Sequence, residues 1–325
     1  MEKGDVMRAI LLLLLALSAP FAGSAVAQTD YPTKPIRMIV GFPPGGGNDI
    51  MARLLSAKMQ DAWGQAVVVD NRPGANSNIA IEFVAKAPAD GYTLLFNAAG
   101  MVINPAMYAS FPVDVLRDFE PISQVGTFPF VLAIHASVPA QSVKELIAYA
   151  KSRPGKLNYS AGAAAFQLAT ELFKQQAGID VRHIPYKGSV QAINAVLAND
   201  TQLTFVDSLP LIPHFKSGRL RGLAVTSPKR FPALPDIPTM MEAGMPDYAI
   251  TGWAGVFAPA GTPKPIVAKL NQEVVRIVHT PDFRERLLAL GTEPVGGASE
   301  ELATIMRVQL ARWKAIAAAA NIKAQ

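Results

Sequence analysis

Short apolar runs in this chain repeatedly end in a glycine- or proline-rich turn and are followed by apolar residues at helical spacing. The first example is a run at residues 36–42, a turn at residues 43–47 and a helical pattern that continues to about Asp61. An apolar run without alternation is typical of a parallel strand that is covered on both faces. Because strands alternate with helices, the sequence predicts an α/β protein built on a parallel sheet with right-handed crossovers.

The remaining predicted elements follow the same rhythm. Strands are predicted at residues 67–69, 92–96, 122–134, 157–160, 181–185, 202–206 and 220–225, and helices up to residue 86 and at residues 142–152, 166–177 and 190–198. Residues 230–246 contain four prolines and are predicted to form a connector. Beyond residues 253–259 the pattern is helical, and we interpret its two apolar stripes, which begin at Ile266 and Leu302, as core packing rather than as a cofactor site.

An apolar run at residues 9–17 lies close to the N-terminus. A helix needs about 20 apolar residues to cross a bilayer, and a proline and a glycine interrupt this run before that length is reached. The Ala-Val-Ala tripeptide at residues 25–27 suits signal peptidase, so we predict a signal peptide at residues 1–27 that is cleaved before Gln28, with export from the cytoplasm. Translation from Met7 and an uncleaved buried or amphipathic helix are the alternatives.

The charge and cysteine content exclude several classes of function. The chain has 30 basic and 25 acidic residues, and removal of residues 1–27 takes away two of each, so the net charge stays +5. The basic residues are scattered, which does not support a nucleic-acid-binding surface. The absence of cysteine excludes disulfides, thiolate metal sites and cysteine nucleophiles. The length suits one large or two modest domains.

The glycine-rich turn that follows the first predicted strand is the most suggestive binding site. It consists of Pro44, Gly45, Gly46, Gly47, Asn48 and Asp49. Glycines let a ligand approach main-chain N–H groups at the positive end of a helix, which favours an anion. The turn matches neither the G-x-x-x-x-G-K-[ST] nor the G-x-G-x-x-G nucleotide pattern. Alternatively the turn is structural, with Asn48 or Asp49 capping the helix; an Asp49 facing the ligand would repel a carboxylate unless water intervened.

Two further strand-to-helix turns, at residues 160–162 and 186–189, also place a glycine at the start of a predicted helix. Open α/β sheets bind their ligands at the carboxyl ends of strands, where all three turns are predicted to lie. We interpret Lys187 as a solvated side chain rather than a ligand contact. Asp207 and Ser208 follow another predicted strand and either meet a polar ligand group or cap a turn.

The sequence shows no catalytic motif. Its four histidines, His135, His183, His214 and His279, are far apart and lack metal-ligand spacing, and His279 is predicted to end a helix. A G-x-S-x-G motif, which would expose a nucleophilic serine, does not occur. We therefore expect no catalytic residues and no metal. A secreted hydrolase or lyase stays an alternative, because residues far apart in sequence can converge in space.

Several segments, in this order, resemble one protein family over about 290 residues. They are YPTKPIRMIVGFPPGGGNDIMAR from Tyr31, GQAVVVDNRPGAN from Gly64, DGYTLL from Asp90, NP at Asn104, HIPYKG from His183, SGRLRGLAVTSPKR from Ser217, LPDIPTMMEAG from Leu234 and WAGVFAPAGTP from Trp253. Together these segments closely resemble the Bug receptors, the extracytoplasmic substrate-binding proteins of tripartite tricarboxylate transporters.

The resemblance implies a type II periplasmic binding fold, in which two α/β lobes joined by crossover strands close over a ligand. It implies a first lobe of residues 28–126 and 228–325 and a second lobe of residues 127–227. It further implies a monomeric periplasmic receptor without a cofactor that binds a small organic carboxylate and delivers it to membrane transporter subunits. The site residues expected from the resemblance and the turns are Phe42, Pro44, Gly45, Gly46, Gly47, Asn48, Asp49, Asn97, Ala98, Ser160, Gly162, Ala163, Ala164 and Asp207.

Two departures from the family pattern bear on the ligand. The loop that begins at Ser160 is two residues shorter than usual and has Gln167 in place of a histidine, and Asn76-Ser77-Asn78 replaces the commoner glycine pair. We therefore expect one carboxylate to be held by first-lobe amides, while the distal part of the ligand is apolar or aromatic. A sensor that passes ligand occupancy to a membrane kinase would share this site and differ in its partner.

Overall fold

A computed structural model describes residues 30–108 and 110–320. The predicted signal peptide and its cleavage site lie outside the described residues. Within them the strands, numbered along the chain, are β1 (Ile36–Val40), β2 (Val67–Asn71), β3 (Thr93–Ala98), β4 (Phe119–His135), β5 (Leu157–Ala161), β6 (Val181–Pro185), β7 (Leu203–Asp207), β8 (Leu220–Val225), β9 (Thr251–Pro259) and β10 (Glu293–Pro294).

The α-helices are numbered along the chain in the same way. They are α1 (Gly47–Trp63), α2 (Asn78–Ala85), α3 (Gly100–Met107), α4 (Val143–Lys151), α5 (Ala164–Ala177), α6 (Ser189–Leu197), α7 (Ile212–Lys216), α8 (Lys264–Val278), α9 (Pro281–Ala289) and α10 (Ser299–Ala320). In the described part of the chain no helix is both long enough and apolar enough to cross a membrane.

The strands form one continuous sheet in the order β2-β1-β3-β9-β4-β7-β5-β6, with β8 and β10 also paired to β4. β4 joins two groups of strands: its first part pairs with β9, as far as Pro129 opposite Thr251, and its second part pairs with β7 from Phe130 onwards. We call β1, β2, β3, β9 and β10 with their helices the first lobe, and β5 to β8 with theirs the second lobe.

The expectation of a wholly parallel sheet is wrong at the centre of the sheet. β1 is parallel to β2 and β3, and β5 is parallel to β6 and β7. β9 is antiparallel to β3 and β4, and β4 is antiparallel to β7 and β8. A fully buried strand has the same apolar pattern in either direction, so the connections rather than the pattern set its direction.

Helix α1, which follows the first glycine-rich turn, is fixed in place by its apolar face and by a glycine at its C-terminal end. Met51, Leu55 and Met59 recur on one side of α1 and are buried, which anchors the helix in the core. The helix ends at Gly64, whose φ of 64° is left-handed and whose N–H donates to the Gln60 carbonyl at 2.9 Å. Glycine adopts this conformation without the steric penalty of a Cβ.

Three helices, α3, α7 and α9, are absent from the sequence-based prediction, and α7 has only five residues. α3 contains Pro105, which cannot donate a main-chain hydrogen bond, and therefore gives a weak helical signal. α9 begins at Pro281, in the first helical position where proline is favoured. As predicted, His279 follows the last residue of α8, and residues 230–246 contain no helix or strand.

Candidate ligand-binding site

A cavity lies between the two lobes and contains about 790 Å³ of space free of protein atoms, its open mouth included. Eight of the predicted site residues line it: Phe42, Gly46, Gly47, Asn48, Ala98, Ala163, Ala164 and Asp207. The other predicted residues, Pro44, Gly45, Asp49, Asn97, Ser160 and Gly162, are not part of its lining.

The predicted residues outside the lining have other surroundings. Pro44 and Gly45 are exposed. Asn97 is buried and donates to Ser77 Oγ at 2.8 Å, while Ser160 Oγ donates to the Ala192 carbonyl at 2.9 Å. Gly162 packs so closely on the main chain of Gly188 that a Cβ would overlap it. Close packing beneath the cavity therefore accounts for the glycine at position 162.

Four helices begin at the wall of the cavity. Their first residues, Gly47, Gly100, Ala164 and Ser189, belong to α1, α3, α5 and α6, and all four line the cavity. The first N–H groups of a helix have no partner within the helix, and they carry its partial positive charge. Among the described residues that line the cavity there is no lysine, arginine or histidine. The site therefore favours an anion through main-chain N–H groups and helix dipoles rather than through a basic side chain.

Asp49 stabilises the turn instead of capping α1, so the predicted capping role is wrong. The N-cap of α1 is Gly46, and no side chain in the described part of the chain makes a capping hydrogen bond there. Asp49 is buried and accepts hydrogen bonds from the Gly45 N–H at 2.9 Å, from Asn71 Nδ2 at 2.8 Å and from Arg53 Nε at 3.0 Å. Burial raises the pKa of Asp49, but these hydrogen bonds outweigh burial and lower the pKa overall. The Gly45 amide is consequently used within the protein.

Asp207 is the last residue of β7 and is buried at the wall of the cavity. Its Oδ1 accepts a hydrogen bond from Ser189 Oγ, at the start of α6. Burial raises the pKa of the Asp207 carboxyl, and the Ser189 hydroxyl and the Gly47 amide oppose this shift only partly. The Gly47 N–H lies close enough to lower the pKa of the carboxyl, although no donor among the described residues makes a hydrogen bond to Oδ2. Asp207 thus adds an acidic group to a site that otherwise favours anions.

Aromatic side chains form another wall of the cavity. Phe128 and Phe130 come from β4, Phe166 from α5 and Trp253 from β9. The rings of Phe130 and Phe166 meet edge to face, with centroids 4.9 Å apart. Trp253 Nε1 donates to Gln309 Oε1 at 2.8 Å, so the polar atom of the indole is already paired. This wall suits the apolar part of a ligand.

Sequence reasoning missed several lining residues. Asn76, Asn104, Gln191 and Thr292 line the cavity, as do the aromatic residues of its wall. Asn104 belongs to the Asn-Pro pair that carried part of the family resemblance. Gln167, which the sequence analysis singled out, does not line the cavity, whereas the preceding residue Phe166 does. In the described part of the chain no group of three acidic or histidine side chains is placed to hold a metal ion.

Comparison with known proteins agrees with this geometry. Residues 51–322 match the model of the family described as tripartite tricarboxylate transporter family receptor. The chain belongs to this family. Protein BugT of Bordetella pertussis is similar to this receptor, with 36% identity over 94% of this chain and 96% of BugT.

Solved structures of similar receptors share the fold. The R. palustris protein Rpa4515 with adipate has a TM-score of 0.88 and 36% identity, over 90% of this chain and 99% of that protein. MatC from Rhodopseudomonas palustris with bound malate has a TM-score of 0.84 and 28% identity, over 88% of this chain and 99% of MatC. This receptor therefore has a type II periplasmic binding fold with two α/β lobes, and its family consists of periplasmic solute-binding receptors rather than enzymes.

Proposed function

We propose that this receptor binds one small organic carboxylate in the cavity between its lobes and delivers it, chemically unchanged, to a membrane transporter of the tripartite tricarboxylate type. The observation that carries the proposal is the meeting of four helix N-termini at a cavity whose described lining has no basic side chain. The adipate bound to Rpa4515 and the malate bound to MatC make a carboxylate the anion of choice. The transporter partner is proposed from family membership.

The ligand that fits best has a carboxylate at one end and an apolar body at the other. Hydrogen bonds to a charged group are worth about 1.5–3 kcal/mol each, and a micromolar complex needs about 8 kcal/mol net. A few main-chain N–H groups and burial against Phe130, Phe166 and Trp253 together reach that value. A second or third carboxylate would have to be buried beside these rings or beside Asp207, without a cation to balance it.

The lobes are proposed to close over the ligand as rigid units. We place their boundaries close to residues 126 and 228, with residues 127–227 forming the second lobe. Ligand that touches both lobes favours the closed arrangement, by no more than the difference between its affinities for the two states. The predicted periplasmic location and cleavage before Gln28 belong to the same proposal.

A binding screen tests this function. Purified receptor is titrated by calorimetry with monocarboxylates of increasing apolar size, with dicarboxylates and citrate, and with a sulfonate that carries the same tail. We expect an apolar monocarboxylate to bind at least tenfold tighter than citrate. Mass spectrometry after incubation should recover the ligand intact, whereas turnover would show an enzyme. Equal small-angle scattering radii with and without a tightly bound ligand would contradict lobe closure.

A further inference from the structure

Asn104, on helix α3, holds its amide in one fixed orientation. Its Nδ2 donates to the Asn76 carbonyl at 2.8 Å and to Asn78 Oδ1 at 2.5 Å. Both partners are acceptors, so only the nitrogen can occupy that position, and the oxygen must point the other way. The residue is completely buried. The contacts to residues 76 and 78 therefore determine which polar atom of Asn104 is left over.

The remaining atom, Asn104 Oδ1, is a buried acceptor without a donor among the described residues. Asn104 lines the cavity, and Oδ1 lies on the side of Gly100, one helical turn nearer the start of α3, where a Cβ would come 3.8 Å from it. A buried acceptor without a partner is costly, because it has lost its hydrogen bonds to water and gained nothing in return. A ligand that places a hydrogen-bond donor next to Asn104 Oδ1 would therefore bind more favourably than one that does not.

Three other polar side chains of the cavity have unpaired oxygens but make weaker cases. Asn48 and Gln191 make no hydrogen bond through their side-chain nitrogens within the described part of the chain, so rotation can exchange oxygen and nitrogen. Asp207 Oδ2 faces the Gly47 amide of the protein itself, and protonation would turn this carboxyl into a donor. Asn104 alone of these four is fixed as an acceptor by its other contacts.

We infer that Asn104 selects ligands that carry a hydrogen-bond donor, a hydroxyl or an N–H group, in addition to their carboxylate. This inference rests on the proposed function and narrows its substrate class from apolar acids to hydroxy, amino or amide-bearing acids. A site built to hydrogen-bond a ligand O–H or N–H rejects the analogue that lacks it, because the buried partner is then left unpaired. Discrimination should therefore appear between ligands that differ only in the donor.

Matched ligands test the inference on the unaltered receptor. Calorimetry compares hexanoate with 2-hydroxyhexanoate and 2-methoxyhexanoate, and benzoate with its hydroxy and methoxy derivatives at each ring position. The methoxy compounds keep the oxygen but cannot donate. We expect at least one hydroxy acid to bind five times tighter than both its parent and its methoxy analogue, which corresponds to about 1 kcal/mol. A crystal structure of that complex should place the ligand O–H within hydrogen-bond distance of Asn104 Oδ1.

Two variants separate recognition from structure. Asn104→Ala should reduce the preference for hydroxy over methoxy acid to less than twofold. Asn78→Ala removes one acceptor of Asn104 Nδ2 without touching Oδ1, so it should retain the preference. If Asn104→Ala does not fold, the matched ligands and the crystal structure of the complex still test whether Asn104 recognises the ligand donor.

Equal affinities within every matched set, or a water in place of the ligand donor at Oδ1, would overturn the inference while leaving a carboxylate receptor intact. Failure of every acid to bind would instead reject the proposed function and the inference with it.

Discussion

Gly47 and Asp207 face each other across the two lobes, and the space that a side chain at position 47 would need is taken by the Asp207 carboxylate. A Cβ built on Gly47 would overlap Oδ2. Gly47 is the first residue of α1, and Asp207 is the last residue of β7. The absence of a side chain at position 47 thus lets an acidic group of the second lobe approach the positive end of a first-lobe helix.

Gly47→Ala should destabilise the receptor through this contact. Overpacking of a buried position costs about 1–3 kcal/mol, and we expect a loss of that size in the free energy of unfolding measured with urea. Asp207→Ala removes the atoms that collide, so Gly47→Ala should cost less than half as much in that background. A double-mutant cycle measures the coupling. Additive effects of the two substitutions would show that the contact does not matter.

Asp207 should make stability fall as pH rises through a defined window. Its folded pKa is raised by burial above the unfolded value of 3.8. Between these two pKa values the folded chain binds more protons than the unfolded chain, so the free energy of unfolding decreases with pH and then levels off. Asp207→Asn removes this penalty. It should therefore stabilise the receptor at pH 7 relative to the wild type, and the advantage should disappear below pH 3.8.

Urea unfolding of both proteins at several pH values checks this expectation. Asp200→Asn, which changes an exposed carboxylate, is the matched control and should not reproduce the effect. A wild type that is as stable as Asp207→Asn at pH 7 would argue against a costly buried charge.

Asp49 should have the opposite pH dependence. Its pKa is lowered overall, so its contribution to stability is present above the unfolded value of 3.8 and is lost as pH falls through the lower folded value. Asp49→Ala breaks the hydrogen bonds from Gly45, Asn71 and Arg53, and should cost about 2–3 kcal/mol at pH 7. Asp61→Ala, at an exposed position of the same helix, should cost less than about 0.5 kcal/mol. Similar losses for both variants in chemical denaturation would refute the role of Asp49.

Phe166→Ala should weaken the binding of long acids more than that of short ones. Phe166 lines the cavity and packs edge to face on Phe130. Its removal therefore takes away apolar surface against which the tail of the ligand would be buried. We expect the affinity for hexanoate to fall about tenfold, or about 1.4 kcal/mol, and that for acetate to change less than threefold. Phe83→Ala, outside this cavity, is the matched control. Equal losses for both acids in calorimetry would mean that Phe166 does not contact the tail.

The strand boundaries were predictable where turns frame an apolar run. The strands predicted at residues 181–185 and 220–225 are confirmed by β6 and β8, and glycine turns at Gly178, Gly188 and Gly218 lie next to them in the sequence. The seventeen-residue β4 was predicted only from residue 122, since polar side chains and prolines dilute its first part. Helix α3 gave no clear pattern because it combines eight residues with an internal proline.

The candidate site was predictable only where its residues belong to a local sequence pattern. Glycine-rich turns mark helix starts in the sequence itself, so three of the four helix N-termini at the cavity were expected near residues 47, 160 and 189. The aromatic wall was not expected. Phe128 and Trp253 are 125 positions apart, and they become neighbours only because Phe128 pairs with Gly252 when β4 and β9 run antiparallel.

The sequence by itself determined the α/β class, the positions of most strands and helices, and the glycine turns that open helix ends towards a ligand. These features depend on periodicity and local backbone preference, which neighbouring residues express directly. Tertiary structure alone decided the direction of the central strands, the burial of Asp207 against Gly47 and the unpaired oxygen of Asn104. Those depend on which distant groups meet, because a hydrogen bond or an overlap is set by positions in space rather than along the chain.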